Sequence, residues 1–72
     1  MERTIVESSS IHSIGYDETT RTLEIQFQGD SERIYQYENV PPDVHQELMN
    51  ADSKGQTFWR LVRDSYQYTR IN

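Results

Sequence analysis

Cysteine is absent from the 72-residue chain, which excludes a disulfide framework and any thiolate-held metal or redox centre. Long apolar runs are absent too. The apolar fraction is 33%, the opening Met1-Glu2-Arg3-Thr4-Ile5-Val6-Glu7-Ser8 carries no signal-peptide stretch, and no segment approaches a membrane span of ~20 apolar residues. A cytoplasmic address with no membrane partner is the expectation. Glycine numbers three and proline two, and Gly15, Gly29 and Gly55 are too isolated to cradle a phosphate. The two histidines, His12 and His45, fall in different segments with no cysteine or tight carboxylate cluster beside them, so both are expected at the surface. No metal and no cofactor is expected.

What the chain does have is aromatic bulk. Two Phe, one Trp and five Tyr matter in a chain this short, because each can remove roughly 150–250 Å² from water and small domains bury little surface. One domain over residues 1–72 is expected, with no repeat or linker. Net charge is −5, unevenly placed: residues 1–50 hold three basic groups and ten acidic ones, and residues 51–72 hold four basic and two acidic. An acidic whole repels phosphate, so any anion site belongs in the C-terminal third.

Alternation is clearest from Leu23 to Phe27, with Leu23, Ile25 and Phe27 on one face and Glu24, Gln26 and Gln28 on the other. A second run, Glu32 to Glu38, puts Arg33, Tyr35 and Tyr37 on one side. Gln28-Gly29-Asp30-Ser31 supplies the turn between the two. Upstream, Ile14 and Tyr16 share a face but Ile11 is out of phase, which a bulge or a late strand start near Ser13 reconciles. Asp17-Glu18-Thr19-Thr20 reads as a turn. The result is a three-stranded antiparallel meander from about Ile11 to Tyr37, its exposed face polar.

After Val40 the period becomes helical. Pro41-Pro42-Asp43 suits a helix start, and Val44, Leu48 and Ala51 continue it for about ten residues. A second helix is expected from Ser53, which stands three before Gln56 at capping-box separation. At 100° per residue, Phe58, Leu61, Val62, Ser65, Tyr66 and Thr69 form one arc and Arg60, Arg63, Gln67 and Arg70 the opposite one, with Trp59 on the boundary. The expected fold is therefore α+β, the meander followed by two C-terminal helices packed on one face. Its expected core is Leu23, Ile25, Phe27, Val44, Leu48, Phe58, Leu61 and Val62, joined by the Tyr35 and Tyr37 rings.

The ordered set Ser9-Ser10-Ile11, Ile14-Gly15-Tyr16-Asp17, Leu23, Phe27, Tyr35-Gln36-Tyr37, Val40-Pro41, Ala51, Ser53, Gly55, Phe58, Val62-Arg63 and Tyr66 resembles the KTSC domain. The resemblance runs from about Ser8 to Tyr66 and centres on the Tyr-x-Tyr motif. The family takes its name from a segment at the C-terminus of some lysyl-tRNA synthetases and also occurs as free-standing bacterial and phage-like proteins. The resemblance implies an α+β module with no established activity, and attachment to a synthetase makes RNA a possible partner. Trp59 departs from the family pattern, which commonly has Asn there, so any role it has is particular to this chain.

Six residues are candidate binding residues. Tyr35 and Tyr37 project from one strand face, as base-stacking rings would, although a chain this short has reason to bury them. Trp59, Arg60, Arg63 and Arg70 combine an aromatic edge with positive charge, against the alternative of a solvated helix face with Arg63 stacked on Trp59. Ser8-Ser9-Ser10 has no adjacent base and no elbow motif, so it is expected to satisfy backbone groups rather than attack a substrate. The carboxylates Asp17, Glu18, Asp30, Glu32 and Asp43 fall in expected turns or at a helix start, unlike an enclosed catalytic pair. The expected function is a small non-catalytic binding module with an RNA or protein partner. The alternative is an accessory module that self-associates, its oligomeric state unspecified by the sequence.

Overall fold

The computed structural model describes residues 1–29 and 33–72. Its elements are β1 (Thr4–Ile5), β2 (Ile11–Asp17), β3 (Thr22–Phe27), β4 (Ile34–Tyr37), α1 (Pro42–Asn50), α2 (Lys54–Leu61) and β5 (Tyr68–Arg70). The fold is α+β, with two helices and an antiparallel sheet in the spatial order β1-β2-β3-β4-β5. The expected meander is its centre. The sheet has five strands, however, and not three.

Of the two alternatives for Ile11, the structure has the bulge and not the late strand start: β2 begins at Ile11, the β2–β3 register shifts between Ile11 and Ser13, and both Ile11 and Ile14 are buried in consequence. The turn that follows is fastened by the Asp17 carboxylate, which accepts from the Thr19 amide at 2.9 Å. The turn expected at residues 28–31, with Asp30 and the Glu32 strand start, lies partly outside the described residues.

The first helix begins as expected, with Pro in its first turn and Asp43 beside the amide end. In the second, the Ser53 hydroxyl accepts from the Gln56 amide, and Phe58 and Val62 are buried. This helix is shorter than its spacing predicts. The amides of Val62 and Arg63 both donate to the Phe58 carbonyl, the chain turns, and Tyr68–Arg70 pairs with β4 through Tyr37↔Tyr68 and Tyr35↔Arg70. Beyond Val62 a continued helix would bury only Ser65, Tyr66 and Thr69. Pairing with β4 instead satisfies the backbone of a four-residue strand that would otherwise be an edge.

Both helices cover one sheet face. The buried core is Ile11, Ile14, Leu23, Ile25, Tyr37, Val40, Leu48, Phe58 and Val62, with Phe27, Tyr35, Val44 and Leu61 half-buried around it. Ile11, Ile14 and Val40 thus join the expected core. The opposite face is not uniformly exposed: Glu24 is only 3% accessible, lying under Arg3, which pairs with its carboxylate. The N-terminal segment reaches this position because residue 15 is glycine. A Cβ there would stand 2.6 Å from the Glu2 carbonyl oxygen.

Candidate functional site

Period-two geometry on β4 points Tyr35 and Tyr37 toward the helices. Tyr37 is 3% accessible, its ring edge-on to Phe58 at 5.4 Å between centroids. Tyr35 is half-buried and meets Phe27 edge-on at 5.5 Å. β5 then lays Tyr68 beside both, 5.3 Å from Tyr35 at an interplanar angle of 15° and 5.5 Å from Tyr37. Core and surface roles are therefore divided along one strand, with Tyr37 in the core and Tyr35 on an open aromatic floor.

The facing wall is α2, with Phe58, Trp59 and Arg63 just beyond its end, and Ser10 closes one side. Gly55 allows α2 to sit this close, since a Cβ on it would meet the Ser10 hydroxyl at 3.0 Å. Between floor and wall lies a cleft of about 540 Å³ lined by Phe27, Arg33, Tyr35, Tyr37, Trp59, Arg63 and Tyr68 among others. Such a volume is within the ~300–1,000 Å³ common for ligand sites. Tyr68 and Trp59 are its exposed rings, at 57% and 61% accessibility.

Its walls carry the Arg33 and Arg63 guanidinium groups and the Asp64 carboxylate. The Arg33 guanidinium lies 5.8 Å from the Phe27 centroid, and that of Arg63 lies 3.6 Å from the Trp59 centroid, the stack weighed from the sequence. Burial pushes the Tyr37 phenol up to about 12, the neighbouring Tyr35 and Tyr68 phenols reinforce the shift, and Arg63 opposes it. Tyr37 therefore stays neutral at physiological pH and can donate a hydrogen bond.

Four of the six candidate residues line this cleft: Tyr35, Tyr37, Trp59 and Arg63. Arg60 does not, and turns instead to Glu47 on α1 at 3.5 Å. Arg70 leaves the expected helical stripe for β5, where it lies opposite Tyr35 and its Nε donates to the Asn72 carbonyl at 2.8 Å. Tyr68, a principal ring of the floor, escapes helical reasoning altogether. The available signal was the strand-like Tyr68-Thr69-Arg70-Ile71, with its β-branched and aromatic residues.

Several of the remaining polar groups of the described residues have local structural partners. The Ser8 hydroxyl accepts from the amides of Ser10 and Ile11, each at 3.1 Å, as backbone satisfaction requires. Both histidines are half-buried rather than at the open surface. The His45 ring stacks on Tyr16 at 4.5 Å, and burial lowers its pKa. Among the described residues no group of three or more His, Asp or Glu side chains is placed to hold a metal ion. No described helix is long and apolar enough to cross a membrane.

The model of the KTSC domain matches residues 7–66. Over its full length the chain is 42% identical to a protein of Stutzerimonas stutzeri described as uncharacterised. It is 38% identical over 66 residues to a lysine–tRNA ligase of Nostoc punctiforme, covering 92% of this chain but 11% of the ligase. The crystal structure of a KTSC domain protein from Yersinia pestis superposes with a TM-score of 0.92 at 42% identity, covering 99% of this chain and 97% of that one. Sequence, sheet order and helix placement converge on one conclusion: the chain belongs to the KTSC domain family.

Proposed function

We propose that this chain is a non-catalytic module that binds single-stranded RNA in the cleft between β4–β5 and α2, acting as one unit over residues 1–72 in the cytoplasm. The observation that carries the reading is the convergence of exposed Tyr68 and Trp59 with the guanidinium groups of Arg33 and Arg63 on one concave surface. Single-strand sites combine these features, because an unstacked base needs a π-face and its phosphate a cation. The cleft contains no paired carboxylates and no nucleophile beside a base, which favours binding over chemistry. A similar segment forms part of a lysine–tRNA ligase, a protein whose name gives it a tRNA substrate, and this supports the reading.

The test is a low-salt titration of the full chain with a single-stranded RNA, followed by Trp59 fluorescence. The wild type is expected to bind. Tyr68→Ala with Arg63→Glu is expected to abolish binding while keeping the wild-type circular dichroism spectrum, since both side chains are exposed. Absence of binding by the wild type, or equal binding by the variant, overturns the proposal.

A second reading has its own observation. The helix-free sheet face exposes Ile5 at 75% and Ile71 at 49%, with half-buried Ile34 beside Ile71, whose amide donates to the Ile34 carbonyl at 2.8 Å. Ile5 stands at the β1 edge and Ile71 beside Ile34 at the other end of the sheet, with Ser13 and Gln26 in register between them; exposed apolar residues at sheet edges favour a protein contact or self-association. Sedimentation across a concentration series separates the readings, because self-association through this face requires an oligomer that Ile5→Lys with Ile71→Lys dissolves.

A further inference from the structure

Resting on the RNA reading, we infer that the cleft takes one ribonucleotide unit, a single unstacked base flanked by its two phosphates, and does not track a longer strand. The space is that of a small-ligand site, about 540 Å³. The floor is already stacked upon itself: Tyr35 lies against Tyr68 at 5.3 Å and Tyr37 is covered by Phe58. One face of Trp59 is taken by Arg63 at 3.6 Å. What remains is room for one base against Tyr68 and Trp59, with no row of successive platforms.

The charges limit the length as well. Arg33 precedes Tyr35 by two residues and stands at the Phe27 end of the floor, whereas Arg63 belongs to the Trp59 wall. Arg70, opposite Tyr35 on β5, reinforces the Arg33 end and does not extend the path. Asp64, which also lines the cleft, lies 4.0 Å from Arg63 and offsets part of its charge. Beyond the cleft the sign reverses. Across the rim formed by Ser10, Gly55 and Trp59, a neighbouring cleft of about 460 Å³ is lined by Glu7 and Asp52. The Lys54 ammonium on that side donates to the Ala51 carbonyl at 2.9 Å, and Arg60 is turned to Glu47. A third phosphate on the Trp59 side would meet carboxylates, in a chain of net charge −5. Electrostatic gain therefore stops at two phosphates.

The full chain is titrated with uridine 3′,5′-bisphosphate and, separately, with an oligouridylate of about 16 nucleotides, the upper end of what single-strand tract binders cover. The two dissociation constants, expressed per site, are expected to agree within about threefold, and the oligomer's log–log salt slope is expected to be about −1.4 from two phosphates. Arg63→Gln, whose fold is checked by its melting curve, should reduce that slope to about −0.7. A gain of about tenfold or more from bisphosphate to oligomer, with a slope steeper than about −3, overturns the one-unit site and leaves RNA binding standing. Binding of the oligomer without the bisphosphate has the same meaning. Failure of both ligands at low salt overturns the RNA reading itself.

Discussion

Replacing Arg3 with Met removes, among the described residues, the cation paired with a carboxylate that is almost wholly out of water. Glu24 is 3% accessible, and its side chain lies under an Arg3 side chain that is 24% accessible. The Gln36 amide, 2.8 Å from the other carboxylate oxygen, remains. Stripping one partner from a buried ion pair costs about 3–5 kcal/mol. The partial exposure of Arg3 reduces this to about 2–3 kcal/mol, because water replaces part of the lost interaction. A domain of this size holds roughly 4–11 kcal/mol in total. At about 4–8 °C per kcal/mol, Arg3→Met should melt about 8–24 °C below the wild type at neutral pH.

The pH dependence gives the same reasoning a sign. Burial alone would raise the Glu24 carboxyl, but hydrogen bonds from Gln36 and Arg3, with the Arg3 charge, outweigh it and hold the group below its ordinary 4.5. Being depressed, it stabilises the wild-type fold above pH 4.5, and this contribution is lost as pH falls through the lower folded value. Without Arg3, only the Gln36 hydrogen bond and the N-terminal charge still oppose burial, so the carboxyl moves up from its depressed value. The variant then loses less stability than the wild type as acid protonates the group. Thermal melts of both proteins from pH 7 down to pH 4 should show the deficit narrowing. A deficit that is constant with pH, or smaller than about 2 °C at neutral pH, would refute the argument.

Gly15→Ala inserts a methyl 2.6 Å from the Glu2 carbonyl; β1 should be displaced at a cost of about 1–3 kcal/mol, visible as faster amide exchange at the strand's pairing partners Ser13 and Ile14. Phe58→Ala should melt about 12–40 °C below the wild type, since truncating a buried Phe costs about 3–5 kcal/mol and Phe58 supports both Phe27 and Tyr37. Phe27→Ala, at the half-buried margin of the cleft, should melt measurably higher than Phe58→Ala; the reverse order would mean the core is misassigned. In a spectrophotometric titration Tyr37 should ionise near 12, against an ordinary 10.0. Because its folded value is raised, its stabilisation is complete below pH 10 and is lost as pH rises towards 12, so Tyr37→Phe should blunt alkaline unfolding across that window.

The sequence by itself determined the central strands, the break of phase near Ser13, both helix starts and most of the core. Each rests on a signal confined to a few neighbours: the alternation at Leu23, Ile25 and Phe27, the phase slip between Ile11 and Ile14, the proline at the head of α1, and the Ser53 cap of α2. The family was legible as well, because the ordered residues around Tyr35-Gln36-Tyr37 carry it. The outer strands were not. Thr4–Ile5 is too short to show a period, and Tyr68–Arg70 satisfies a helical arc as readily as a strand. What decided between the two was the unpaired edge of β4, a tertiary fact with no local trace. The same return of the chain parted Arg70 from Arg63, while α1 drew Arg60 to Glu47, so a stripe drawn on one helix became three separate positions. Only the folded chain could bring Tyr68 against Tyr35, because a cleft between a strand and a helix is a property of their packing and not of either sequence.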